Sequence, residues 1–360
     1  MNRTKTMFFA FTGKAIEQSE RILEIQDGYE CWDLKKFTFD EFVEEIKNKI
    51  PPVNAKVLRN YKLESETVGI FGITEKQYEK ASWGLLIPDT IEEGGFGYAE
   101  TMFLLNLYSP NFLYPLFYVN DMGIARQKFD KDPFIYFHTQ DHSIFSTKQF
   151  VVFYKTLFEQ SKYGSWHLDR IQSWDKEDWR LFVAALLFTG LKDYENSKSS
   201  FGWQRESAEM TTILEALFTA DDSRNEEVIY RLCKRIAVLL HWQFPDIEKE
   251  IKKELYKSRS DFVHGAFFLQ IAKESPGANN NIPTPDFNLL YKHKEYVRFA
   301  FVAYLHLAIL IKRSPAEYKK HKTVMGALEE SIIDTELREK IIKQVQALFA
   351  LMPTPNLKMV

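Results

Sequence analysis

In the stretch LYKSRSDFVHG, residues 255–265, Arg259 and His264 stand five positions apart, just before a glycine. The two residue types complement one another. A histidine side chain titrates near neutrality and can carry a proton to or from an oxygen. An arginine stays charged and presents a planar fork of donors that fits phosphate oxygens, so it can stabilise negative charge as it develops. The same spacing also suits an ordinary helix end. Cations favour the negative pole of a helix dipole, and a histidine beside a C-cap glycine is common there. Spacing alone leaves both readings open.

The surrounding sequence predicts a helical scaffold. DWRLFVAALLFTGLKDYE, 178–195, has a broad apolar face, and ESAEMTTILEALFTA, 206–220, is a second helix. SRNEEVIYRLCKRIAVLLH, 223–241, opens on a Ser223/Glu226 capping box, with Val228, Leu232, Ile236 and Leu239/Leu240 forming one apolar stripe. FPDIEKEIKKELYKSRSDFVHG predicts a helix from near Pro245 to Gly265. SPGANNNIPTPD, 275–286, is a loop. Residues 288–312 and 334–350 predict two further helices. Together they predict an all-α bundle over residues 170–360.

This combination resembles the HEPN superfamily, most closely the ApeA-like HEPN domains. The residues that carry the resemblance are Leu214 and Glu215, then Arg231 and Arg235, then Tyr256, Arg259, Ser260, Val263, His264 and Gly265. It covers roughly residues 175–315. It implies a metal-independent endoribonuclease with Arg259 and His264 as the catalytic pair, usually completed across a homodimer. The implied products are a 2′,3′-cyclic phosphate and a 5′-hydroxyl. Tyr256, Ser260 and Asp261 would support the pair or contact phosphate. Such motifs often carry Asn, Asp or His directly after the arginine, where this chain has Ser260 and only then Asp261. The resemblance also implies a part in anti-phage, abortive defence. The alternative is a non-catalytic HEPN module that dimerises and binds RNA or a protein partner. A third reading makes the pair a mere helix end in an interaction protein, which an apolar or poorly basic surface around it would favour.

Glu215, Arg231 and Arg235 have two readings. Arg231 and Arg235 share a helix face, four positions apart. They line a cleft with Glu215 holding one of them, or they form an internal ion pair that locks the bundle. His138 and His142 have the spacing of helical metal ligands, but without HExxH or an evident third ligand no metal is expected. His306, inside an apolar run, reads as a hydrogen-bonded core histidine, and His241 as a helix end. The GGFG at 94–97 lacks the spacing of a nucleotide-binding loop, and no cofactor is expected.

Residues 1–165 predict a mixed α/β domain, with a possible sensory or regulatory role. ERILEI, ETVGIFGI and WGLLIP read as strands. Thr38-x-x-Glu41 opens a helix that ends at Ile50, before Pro51-Pro52. TMFLLNLYSP and PLFYVNDMGI fit either state, and 142–160 reads as a helix. The expected class is therefore α+β, with a domain boundary near 160–175.

Bulk properties agree with a globular chain. Its 360 residues are 45% hydrophobic and 27% charged, with a formal net charge of −3. Nothing here demands a polyanionic partner, yet a local basic patch would suffice for RNA. Two cysteines, Cys31 and Cys233, make no disulfide framework. The apolar run at the start is too short for a secretory signal. The run at 299–311 is short of the roughly 20 residues of a membrane span. The expected setting is cytoplasmic, with RNA as partner and neither membrane nor DNA.

Overall fold

Four consecutive residues, Phe8 to Phe11, are all buried, which requires a strand covered on both faces. The computed structural model describes residues 5–12, 16–26, 29–50, 75–89, 98–108, 115–120, 123–125, 145–159, 175–191, 202–219, 225–264, 287–313, 318 and 321–353. Contacts divide the chain into two compact units, Met1–Ser165 with Leu351–Asn356, and Trp166–Ala350 with Leu357–Val360. The fold is α+β. The first unit carries an antiparallel sheet with helices, and the second, among the described residues, carries helices alone.

In the first unit, β1 (Lys5–Thr12) pairs antiparallel with β5 (Ala81–Asp89) on one side and β6 (Pro115–Asn120) on the other. β4 (Tyr29–Asp33) and then β3 (Ile22–Gln26) extend the β5 side, and β7 (Gly123–Ala125) extends the other. β2 (Ile16–Glu17) and β8 (Phe145–Ser146) form a separate parallel pair. Side chains alternate across a strand. Phe8 and Ala10 therefore join Trp32 beneath α1 (Phe39–Lys49), which contributes Phe42, Val43 and Ile46 to the same core. Phe11 instead stacks on Trp83, with ring centroids 4.2 Å apart. The capping box that opens α1 is complete: the Glu41 backbone N–H donates to Thr38 Oγ1, and Glu41 accepts from the Thr38 backbone at 2.8 Å.

Among the described residues this unit also carries α2 (Glu75–Glu79), α3 (Tyr98–Tyr108) and α4 (Thr147–Tyr154), the last running into a π-helical turn at Lys155–Glu159. The ambiguous TMFLLNLYSP is thus helical as far as Tyr108, and PLFYVNDMGI contributes β6 up to Asn120 and the start of β7 at Gly123. The helix expected over 142–160 begins later, because Phe145 and Ser146 pair with β2 and Ser146 then caps α4 by accepting from Gln149 N–H at 3.3 Å. ETVGIFGI, His138, His142, the GGFG stretch, Ser223, Gly265 and the 275–286 loop lie outside the described residues.

The second unit contains α5 (Lys176–Gly190), α6 (Gly202–Phe218), α7 (Asn225–Leu240), α8 (Ile247–Glu250), a π-helical turn (Ile251–Leu255), α9 (Tyr256–Val263), α10 (Phe287–Arg313), α11 (Val324–Ile333) and α12 (Thr335–Phe349). α10 is buried on every side from Glu295 to Ile309, as expected of a central helix apolar all round. Its buried acid is matched one turn on: Arg298 donates to Glu295 through Nε at 2.9 Å and Nη2 at 2.6 Å. α6 packs against α5, α9 and α10, while α7 packs against α10, α11 and α12. Among the described residues no helix is long and apolar enough to cross a membrane.

Candidate functional site

Tyr256 opens α9 and its side chain is buried against α6. A buried phenol must find an acceptor, and its hydroxyl donates to Glu215 Oε1 at 3.0 Å. Burial and the adjacent Glu215 carboxylate raise the Tyr256 pKa well above its ordinary value, so it stays a donor. The other oxygen of Glu215, Oε2, lies 3.4 Å from Arg259 Nη2. Tyr256 and Arg259 are one helical turn apart, so one carboxylate on α6 meets both.

The tether on Arg259 is loose. Its side chain is 35% exposed and Glu215's is 25% exposed, and at 3.4 Å the contact is longer than a good charge-assisted hydrogen bond. Such a partly solvated pair contributes little to stability. The guanidinium is therefore aimed rather than locked, and can accept a stronger anion. Ser260 is exposed and Asp261 half-buried. His264 sits just past the helix, its backbone N–H donating to the Ser260 carbonyl at 2.9 Å, and its side chain is exposed. The helical reading of the stretch is thus right in type, and both members of the pair reach solvent.

Arg235 plays another part. It is 1% exposed, donates through Nε to Glu329 Oε1 at 2.6 Å and also binds the Phe218 carbonyl. Phe218 ends α6, so this cation satisfies an open carbonyl at the negative end of the dipole. Arg180 does the same for the Thr219 carbonyl. Arg235 is an internal brace between α6, α7 and α11. Arg231, one turn earlier, is half-buried. Glu215 meets Arg259, and of the two α7 arginines Arg235 pairs with Glu329 instead. The acid that Arg235 uses is Glu329, on the short helix α11, which the sequence reading did not assign.

Two further histidines are placed. His306 is buried in α10, and desolvation lowers its pKa to about 4. His241 is exposed, directly after α7. Among the described residues no group of three His, Cys, Asp or Glu side chains could hold a metal ion. Compared with family models, curated proteins and solved structures, the chain matches none.

Proposed function

We propose that the second unit is a HEPN-type domain and that the protein is a metal-independent endoribonuclease. One observation carries the reading: Arg259 and His264 share a helix end open to solvent, with the guanidinium aimed by a carboxylate that Tyr256 anchors. Cleavage needs two things that this arrangement offers. An imidazole takes the proton from a ribose 2′-hydroxyl as that oxygen bonds to phosphorus, and an imidazole returns a proton to the departing 5′-oxygen. A guanidinium beside the phosphate oxygens stabilises the charge that builds up there. The products are a 2′,3′-cyclic phosphate and a 5′-hydroxyl. Two copies of the chain would supply a histidine for each proton transfer. We place this activity in antiviral defence in the cytoplasm, with the first unit as sensor or restraint, on the strength of the sequence resemblance.

The test compares wild type with Arg259→Ala and His264→Ala on total RNA and on tRNA in EDTA, after circular dichroism has established equal folding. Cleavage by wild type, with a loss of at least about 100-fold in each variant, is the expected result. Equal cleavage by all three, or loss of fold in His264→Ala, overturns the assignment. RNA binding without cleavage by any of them favours the non-catalytic module.

A further inference from the structure

The helical segment that ends at His264 sorts its charges by partner. Its three glutamates each have a basic residue of the bundle beside them, although Glu248 and Glu254 keep 37% and 41% of their side chains exposed. Glu248 pairs with Lys234 of α7 at 2.9 Å, Glu250 with Lys292 of α10 at 2.6 Å, and Glu254 lies 3.6 Å from His293 Nε2. Its lysines do the reverse. Lys249, Lys252, Lys253 and Lys257 are all exposed, and none has an acidic partner among the described residues. Every exposed residue described between Lys249 and His264 is Lys, Ser, Val or His. Lys249, Lys253, Lys257, Ser260 and His264 follow one another at three or four positions, the spacing of a single helix edge. Asp261 is half-buried beside that edge.

We infer that this edge is a track for the sugar–phosphate backbone of single-stranded RNA, leading it to Arg259 and His264. The inference rests on the proposed ribonuclease reading for its ligand, but on the lysines for its location. An edge of free ammonium groups attracts a polyanion without regard to sequence. From Lys249 to His264 it runs roughly 20 Å at 1.5 Å per residue, enough for several nucleotides. The net charge of −3 does not oppose this, because the field at a surface is set locally. The track gives a substrate with no special sequence a reason to lie across the exposed helix end.

The test measures binding of a fluorescein-labelled oligouridylate to the full-length protein by anisotropy, between 50 and 200 mM salt and in EDTA. Wild type is compared with the Lys249→Gln/Lys253→Gln/Lys257→Gln variant and with Lys343→Gln, at an exposed lysine of α12 outside the edge. Four phosphate contacts predict a log–log salt slope of about −3, an affinity loss of roughly 50-fold across that range. The triple variant should lose affinity and show only about a threefold salt effect. An unchanged slope in the triple variant overturns the track, whatever the cleavage assay gives. If the triple variant loses affinity and salt dependence, the track stands even should wild type fail to cleave. Lysine-dependent binding to phosphatidylserine vesicles, with no RNA binding, overturns it in favour of a lipid surface.

Discussion

Protonating His306 opposes folding. Its ring is buried in α10 and its pKa falls to about 4, chiefly through desolvation. Arg313 adds to the push, and a hydrogen bond with the Gln344 backbone acts against it. In the unfolded chain an imidazole titrates near 6.5. Between those values the unfolded chain holds the proton and the folded chain does not. Stability from this group is therefore complete above about pH 6.5 and is lost as the pH falls toward 4. The fall corresponds to roughly 3 kcal/mol at 1.36 kcal/mol per pH unit. Urea titrations at pH 7 and pH 4.5 should show that loss in wild type. His306→Leu should remove most of it while leaving the carboxylate contribution in place. A variant as acid-sensitive as wild type would show that the ring is not desolvated. Residues 259 and 235 differ on the same scale. Both are arginines facing a glutamate, but Arg235 is enclosed and braces three helices, whereas Arg259 is partly in water and free to change partner.

At the scale of elements, the first unit is sensitive to one hydrogen atom's worth of space. Gly84 in β5 stands opposite Ala10 of β1 and Trp32 of β4. A Cβ there would lie 2.2 Å from Phe8 Cζ. The Phe8 ring has nowhere to go, with Trp32 and Phe42 centroids 5.1 and 5.3 Å away. Gly84→Ala should cost about 1–3 kcal/mol, read as a lower midpoint in thermal unfolding. Phe8→Leu should lessen that cost in the double variant, because neighbours that share a cavity are not additive. A Gly84→Ala protein as stable as wild type would contradict the packing. Much of this architecture is legible in the residues themselves. The capping box at Thr38 and Glu41 announces α1, and the apolar stripe of α7 announces its buried face. The run around His306 announces a central helix. Other features are set by partners distant in sequence. β8 exists because Ile16 and Glu17 supply a partner, and Glu329 matters because α11 delivers it to Arg235. The π-helical turn at Ile251–Leu255 breaks a helix that looks continuous as sequence. It advances the chain by less than 100° per residue, so it sets the direction from which Tyr256 and Arg259 approach Glu215. Local spacing could name the pair at 259 and 264, but only the packing of α9 on α6 shows that Tyr256 and Arg259 share Glu215.

Over the whole molecule, a net charge of −3 gives no general attraction for nucleic acid. Any recognition has to come from local order, and the lysine edge supplies a local cationic surface beside the candidate pair. The proposed chemistry asks more of the site than position. It removes one proton from the 2′-oxygen and supplies another to the 5′-oxygen, yet each chain carries a single copy of the Arg259–His264 motif. A cleft shared by two copies about a twofold axis resolves that mismatch, and it has a sharp consequence. Dimers of wild type with His264→Ala keep both guanidinium groups but only one imidazole, so one of the two proton transfers has no carrier. When wild type and a tagged His264→Ala chain are mixed in equal amounts and exchange subunits fully, about a quarter of the dimers are wild type and about half are hybrids. Cleavage of RNA should then fall to about half of that given by the same wild-type subunits before exchange. The degree of exchange is read independently by native mass measurement through the tag. Full exchange with cleavage unchanged would mean that each pair works only within its own chain, and the shared cleft would have to be abandoned.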